Sequence, residues 1–155
     1  MSHGFDTCGP VERLTYRVTW ANQVLRGVRR VAGLTRVTKV VEYRDGGVDP
    51  QSPPLKMPGR TDFLPVILEL GPPRNRQFEN WAQAAAGLAP PSRRLATRQD
   101  VWVELLDEAG QVVLSARVFQ CWCSEYSLLP QSEPGSGVFV IQRFRLENQG
   151  WVREI

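Results

Sequence analysis

The sequence predicts a mainly β domain, two packed antiparallel sheets forming a sandwich or barrel, with one α-helix on its flank. Three observations carry that expectation. Apolar residues recur at a two-residue period in most segments, a single segment shows the 3.6-residue period, and Gly/Pro clusters separate them. The pattern gives six or seven strands and one helix over about 75–86.

In residues 14–20, LTYRVTW, the apolar Leu14, Tyr16, Val18 and Trp20 alternate with Thr15, Arg17 and Thr19, as in a half-buried strand. Ala21-Asn22-Gln23 reads as a turn. From Val24 to Val41 the apolar pattern reads as one long strand region, with Gly27 and Gly33 marking a bend or bulge. Residues 44–60, RDGGVDPQSPPLKMPGR, hold three Gly and four Pro among seventeen positions, so they read as a long loop, since proline cannot donate to a sheet ladder. Connections of that length are uncommon in compact domains and are usually either functional or disordered. Strand pattern returns at Val66, Leu68 and Leu70 and stops at Gly71-Pro72-Pro73.

The helical segment is 75–87, NRQFENWAQAAAG. Phe78, Trp81, Ala82 and Ala85 fall on one face, Asn75 can cap the N-terminus, and Gly87 with Pro90 gives a stop. Residues 101–120 read as a hairpin around Asp107-Glu108-Ala109-Gly110. Its first arm is apolar on both faces (Val101, Val103, Leu105 against Trp102, Leu106), which predicts cover on both sides from a second sheet or a partner subunit. Residues 124–137 read as a second loop. The final strand follows, with Val138, Val140, Phe144 and Leu146 on one face and Phe139, Ile141, Arg143 and Arg145 on the other.

Length and composition set the frame. The 155 residues are read as one domain, 1–155, able to bury about 70% of its unfolded surface without a disulfide or metal. The 42% hydrophobic and 23% charged residues exclude disorder, collagen and coiled coil as descriptions of the whole. No apolar run reaches the roughly 18 residues of a membrane span. The start, MSHGFDTCGP, lacks a signal pattern, so assembly in a cytoplasm is expected. Of 19 basic residues only Lys39 and Lys56 are Lys. That Arg bias suits an assembly surface, although a GC-rich genome produces it as well. A net charge of +3 with no dense basic run gives no sign of a nucleic-acid partner. Cys8, Cys121 and Cys123 make an odd count, as for reduced thiols.

Catalytic chemistry finds little to stand on. His3 is the single histidine, so no Ser/His/Asp or Cys/His arrangement can be built in the core. Cys121-Trp122-Cys123 offers two thiols without the second pair zinc requires. Asp107-Glu108 lies in a turn, where Asp serves local hydrogen bonds. Gly46-Gly47 and Pro58-Gly59 lack the strand-to-helix setting of a phosphate loop. Five tryptophans on strands could form a base-stacking platform, but core packing accounts for all except Trp102 and Trp151. The expectation is a non-enzyme with no cofactor and no metal.

Taken in order, several segments resemble one family. They are GVRRVAGLTRVTKVVEYRDGG (27–47), KMPGRTDFLPVILELG (56–71), the tryptophan-bearing FENWAQAAAG (78–87) and the hairpin VWVELLDEAGQVV (101–113). The chain is similar, over nearly its whole length, to the tail tube proteins of contractile-tailed bacteriophages and extracellular contractile injection systems. It departs from them at Ala116, where the family commonly has Trp, and at Cys121-Trp122-Cys123, in place of Ala-Trp-Pro. It departs again at Gln142 and Asn148, where Glu and His are usual.

The resemblance implies a tail-tube, Hcp-like fold assembled into hexameric rings. These rings stack as a hollow inner tube within a contractile sheath, carrying an effector or DNA in the lumen. Implied partners are further copies of the chain, the sheath protein, and baseplate, tube-initiator and tail-terminator proteins, with no membrane anchor. The particle would be assembled in a bacterial cytoplasm and could be released. It places ring or subunit contacts at Tyr43, Arg44, Asp45, Gly46, Gly47, Met57, Pro58, Gly59 and Arg60. The alternatives are a baseplate-proximal tube initiator and, from another class, a monomeric β-barrel module binding a small ligand or nucleic acid.

Overall fold

The computed structural model describes residues 13–44, 46, 50–85, 98–128 and 141–155. The chain runs β1 (Thr15–Trp20), β2 (Gln23–Leu25), β3 (Val28–Ala32), β4 (Arg36–Tyr43), β5 (Leu55–Phe63), β6 (Val66–Leu70), α1 (Arg76–Ala84), β7 (Gln99–Leu106), β8 (Val112–Leu128), β9 (Gln142–Glu147) and β10 (Trp151–Arg153). The fold is mainly β, in two sheets with one helix. An eight-stranded antiparallel sheet has the order β2-β1-β7-β8-β9-β6-β3, with β10 paired to β8, and β4-β5 form a separate two-stranded sheet. Among the described residues no ladder joins β2 to β3, the two ends of that path.

One strand organises the large sheet. The first part of β8 pairs with β7, through Ala116↔Val103 and Val118↔Val101, and its last part pairs with β9, through Cys123↔Leu146 and Tyr126↔Phe144. The change of partner falls between Cys121, still paired with Gln99, and Trp122, paired with Glu147, just after Gln120, whose φ of 52° bends the strand. A bulge of this kind re-aims a strand and increases its twist. Both halves therefore line one core: Val18, Trp20, Val101, Val103, Val118 and Cys121 from the first, and Val66, Leu68, Leu70, Phe144 and Leu146 from the second. Each such fully buried Val, Leu or Phe side chain contributes about 1.5–3 kcal/mol by leaving water.

Helix α1 starts where the sequence predicts. Asn75 is extended (φ −111°, ψ 104°) and its side chain accepts the Phe78 N–H at 3.1 Å. Phe78 and Trp81 bury into the core, where Phe78 meets Trp20 edge-on at 5.4 Å and Phe144 at 4.7 Å. The helix ends at Ala84; Ala84 rather than Ala85 is buried, and Gly87 lies outside the described residues.

Other expectations are met or corrected. Ala21 and Asn22 both have positive φ (48° and 60°), forming the two-residue turn between β1 and β2 that the twist of a hairpin favours. The stretch 24–41 is three strands, not one. Gly27 closes the turn between β2 and β3, and Gly33 ends β3. The predicted loop 44–60 is too long, because residues 55–60 belong to β5. The predicted second loop begins too early, since β8 continues through Ser124–Leu128. The Asp107–Gly110 turn forms as expected, with Asp107 Oδ1 accepting the Gln111 N–H at 2.8 Å. In β9 the predicted alternation holds: Phe144 and Leu146 are buried, Arg143 and Arg145 exposed. Val138, Phe139 and Val140 lie outside the described residues.

Candidate assembly surface

β4 and β5 form a long two-stranded arm that leaves the domain at Gly33–Thr35 and returns at Leu64–Pro65. Val37, Thr38, Val40 and Val41 supply the β-branched side chains that favour extended backbone. The register runs Tyr43↔Leu55, Glu42↔Lys56, Val41↔Met57, Val40↔Pro58, then shifts, and resumes at Thr38↔Thr61. Thr38 and Thr61 join their hydroxyls at 2.9 Å. Pro58 sits beside that irregularity on a ribbon whose strands are both edges, the setting in which a strand tolerates proline. Gly59 is required for close approach: a Cβ there would lie 2.8 Å from Val41 Cγ2 and 3.1 Å from Lys39 O.

The root of the arm is tied down. Leu64 N–H donates to Thr35 O at 3.0 Å, and Asn148 Nδ2 donates to Leu64 O at 3.0 Å. Phe63 meets Trp151 edge-on at 6.4 Å. Gly33 (φ +98°) presses its backbone on Pro65, whose carbonyl oxygen a Cβ would overlap.

Beyond the root the arm packs on no other element among the described residues. Every residue of β4 is exposed, and Val37, Val40, Val41, Tyr43, Leu55 and Met57 all lie in solvent, Val40 and Leu55 at 64% and 63% exposure. The pairs Tyr43–Leu55 and Val41–Met57 share one face. An isolated two-stranded ribbon is at best marginal in water, and a contiguous apolar surface of this kind marks an interaction site. The Arg60–Asp62 ion pair (2.9 Å) is exposed and adds little to the arm's stability.

The predicted contact residues Tyr43, Arg44, Met57, Pro58, Gly59 and Arg60 all lie on the arm or at its end, and Gly46 lies in the turn beyond it; Asp45 and Gly47 are outside the described residues. Sequence reasoning missed Val37, Val40, Val41 and Leu55. The valines read as part of a strand region, which does not say that they face solvent, and Leu55 reads as part of the Gly/Pro-rich loop.

Several titratable groups elsewhere hold the fold together. Glu79, 5% exposed, accepts from Arg74 Nε at 2.6 Å and from Gln142 Nε2, which also reaches Tyr126 Oη at 3.0 Å. Burial works to raise the Glu79 carboxyl, but the bonds from Arg74 and Gln142 and the nearby guanidinium charges outweigh it and hold it below the usual carboxylate range. Burial pushes the Cys121 thiol up to about 12 and Cys123 up to about 11, and both cysteines are free. Arg117 stacks over Trp102 and Phe119, at 5.1 and 5.2 Å from the ring centres. Among the described residues no group of three or more His, Cys, Asp or Glu could hold a metal ion.

Among the described residues the domain thus has a buried core and projects an apolar arm left exposed. The chain belongs to the family described as T4-like virus tail tube protein gp19, whose model matches residues 12–152. Solved structures share the fold. A chain of the anti-feeding prophage cap, the tube-terminating cap, is 21% identical, with 90% of this chain and 87% of that one covered at a TM-score of 0.65. A chain of an extracellular contractile injection system, the PVC sheath–tube complex in the extended state, is 20% identical over 94% and 90% at 0.66. A chain of the anti-feeding prophage baseplate is 17% identical over 95% of each at 0.67. No curated protein sequence matches the chain.

Proposed function

We propose that this chain is the structural inner tube subunit of a contractile phage tail or extracellular contractile injection system, forming hexameric rings that stack into a hollow conduit inside a sheath. The observation that carries this reading is the arm. Its apolar face has no counterpart among the described residues of its own chain, and a second copy is the partner that covers it. A contact between two different patches of identical subunits is heterologous, and such contacts close into rings or run on as filaments. Family membership and the shared fold of sheath–tube, cap and baseplate chains support the same assignment.

The mechanism is mechanical. Sheath contraction would drive the tube forward, so each interface must carry load, and many modest contacts acting together supply that without a reactive centre. The partners are further copies, the sheath protein, and baseplate, initiator and terminator proteins, with effector or DNA in the lumen. Assembly takes place in the bacterial cytoplasm, and the particle is released from there.

Negative-stain electron microscopy of the purified chain at rising concentration, alone and co-expressed with its genomic neighbours, tests the reading. Six-fold rings or hollow fibres support it; dispersed monomers in both preparations overturn it and return the chain to a ligand-binding module. Rings that never stack identify a baseplate-proximal initiator instead of the main tube. Substituting Arg44→Gly and Arg60→Gly probes the arm itself, because unchanged stacking would refute its role as an interface.

A further inference from the structure

At another place on the domain three arginines gather, of which one, Arg74, is engaged in the fold through Glu79. Arg26, in the turn between β2 and β3, lines an open cleft of about 290 Å³ with Arg74, Asn75, Arg76 and Gln77. The two segments are held back to back by Gly27. Its φ of +79° and its contact with Gly71 O and Pro72 O leave no room for a side chain, and Gly71 N–H donates to Gly27 O at 2.7 Å. The backbone carrying three arginines is thus held around one small volume.

Their placement runs against local electrostatics. The start of a helix carries partial positive charge and favours acidic side chains. Here Arg74 and Arg76 flank the cap residue Asn75, and Arg26 adds a third like charge. Among the described residues Glu79 answers them, by an ion pair to Arg74 and at longer range to Arg76, and its carboxylate is shared with Gln142. Arg26 and Arg76 form no ion pair among the described residues. Where a sequence breaks a local rule with no gain in folding, function is the usual reason.

We infer that this cleft binds an acidic peptide segment of a partner protein, placing side-chain carboxylates on Arg26 and Arg76. The guanidinium fork matches a carboxylate with two parallel N–H···O bonds. A nucleic acid fits less well: among the described residues no aromatic side chain lines the cleft to stack a base. Arg74, held by Glu79, keeps the third charge in position. The inference stands apart from ring formation, since a single copy presents the whole cleft.

The test is a titration of a fluorescently labelled hexaglutamate peptide with the full chain at physiological salt, read by anisotropy. Saturable binding is expected, weakened at least about tenfold in Arg26→Ala/Arg76→Ala, the step that about 1.4 kcal/mol represents. It should be unchanged in Arg36→Ala/Arg44→Ala, which removes the same charge from the arm. Both arginines of the cleft are exposed, so thermal unfolding of the first variant should match the parent; if it does not, Arg26→Gln/Arg76→Gln carries the comparison. Equal loss in both pairs would reduce the effect to net charge and overturn the inference, as would absence of saturable binding. Tighter binding of a six-nucleotide thymidine strand than of the peptide would also overturn it, in favour of nucleic acid.

Discussion

Asp100 Oδ1 accepts the backbone N–H of Gln120 at 3.0 Å at the point where β8 passes from one half of the large sheet to the other. The second oxygen of Asp100 takes Arg117 at 2.7 Å. One carboxylate on β7 therefore fixes both the bent residue and the strand leading into it. The Gln120 N–H is the main reason that the Asp100 carboxyl is held below its usual range; burial opposes it, and Arg117 adds to it.

Removing that carboxylate should loosen the junction. Asp100→Ala is expected to lose about 1.5–3 kcal/mol, the range for hydrogen bonds to a charged group, measured as a lower urea midpoint at neutral pH. Because the folded value is depressed, this stabilisation is fully present above the unfolded Asp value of about 3.9 and fades as pH falls through the lower folded value. The gap between parent and variant should narrow below about pH 4. A gap that stays constant down to strong acid would mean that the charge of Asp100 is not what holds the bend.

Gln120 tests the same bend from the other side. A non-glycine residue at φ 52° is strained by about 1–2 kcal/mol, and the Gln120 side chain is exposed. Gln120→Gly should raise the thermal midpoint, in contrast to most substitutions of strand residues by glycine. A lower midpoint would show that the side chain stabilises the junction in a way the backbone geometry does not reveal.

These two residues also mark how far the sequence can be read. Helix α1 was legible because the Asn75 cap and the Phe78/Trp81/Ala82 spacing are local signals, and the turn at Asp107–Gly110 and the alternation in β9 are local too. The bend at Gln120 was not, because nothing in Phe119-Gln120-Cys121 signals a positive φ; it is imposed by Asp100 from the neighbouring strand. β5 was hidden for a related reason. Pro58 and Gly59 read as strand breakers, yet a ribbon with two free edges accepts both. The burial of Glu79 is made tolerable by Arg74 nearby in sequence and by Gln142 of β9, a contact distant in sequence that no local pattern announces. The contact residues proposed for 43–60 fell on the arm because the segment was unusual in length and composition. The exposed valines of β4 were missed, since alternation alone does not say which face meets solvent.

The Glu79 contact predicts a second acid-sensitive point. Glu79→Ala leaves Gln142, itself buried, with Tyr126 alone and frees Arg74, and should cost about 1–3 kcal/mol in unfolding free energy. The carboxyl is held low, so its contribution is complete above about pH 4.3 and disappears as pH drops through the folded value. Chemical denaturation at neutral and acid pH distinguishes the two cases: a parent-like acid response in Glu79→Gln would remove Glu79 from the account.

Separating arm from body is the most direct check on assembly. Val41→Asp/Met57→Asp places charge on the exposed face without touching the core. Its unfolding free energy should stay within about 0.5 kcal/mol of the parent while rings and fibres disappear from electron micrographs. By contrast, Gly33→Ala acts at the root: φ +98° and the carbonyl of Pro65 exclude a Cβ, so the domain itself should be destabilised. If the charged arm still assembles, the apolar face is not the contact.

The two strand thiols give a readout of the junction that needs no assembly. Cys121 and Cys123 flank the place where β8 changes partners, and burial pushes their thiols up to about 12 and 11. The thiolate is the reactive form, so at about pH 8 the folded chain should leave both unmodified by iodoacetamide, while denaturant exposes both. Mass spectrometry of the peptide carrying Cys121 and Cys123 measures this directly. Their modification requires opening of the strand, so Asp100→Ala should speed labelling at these two positions, through the population of the open form. Equal rates in parent and variant would mean that the bend stays closed without Asp100, and that the carboxylate stabilises the sheet only through Arg117.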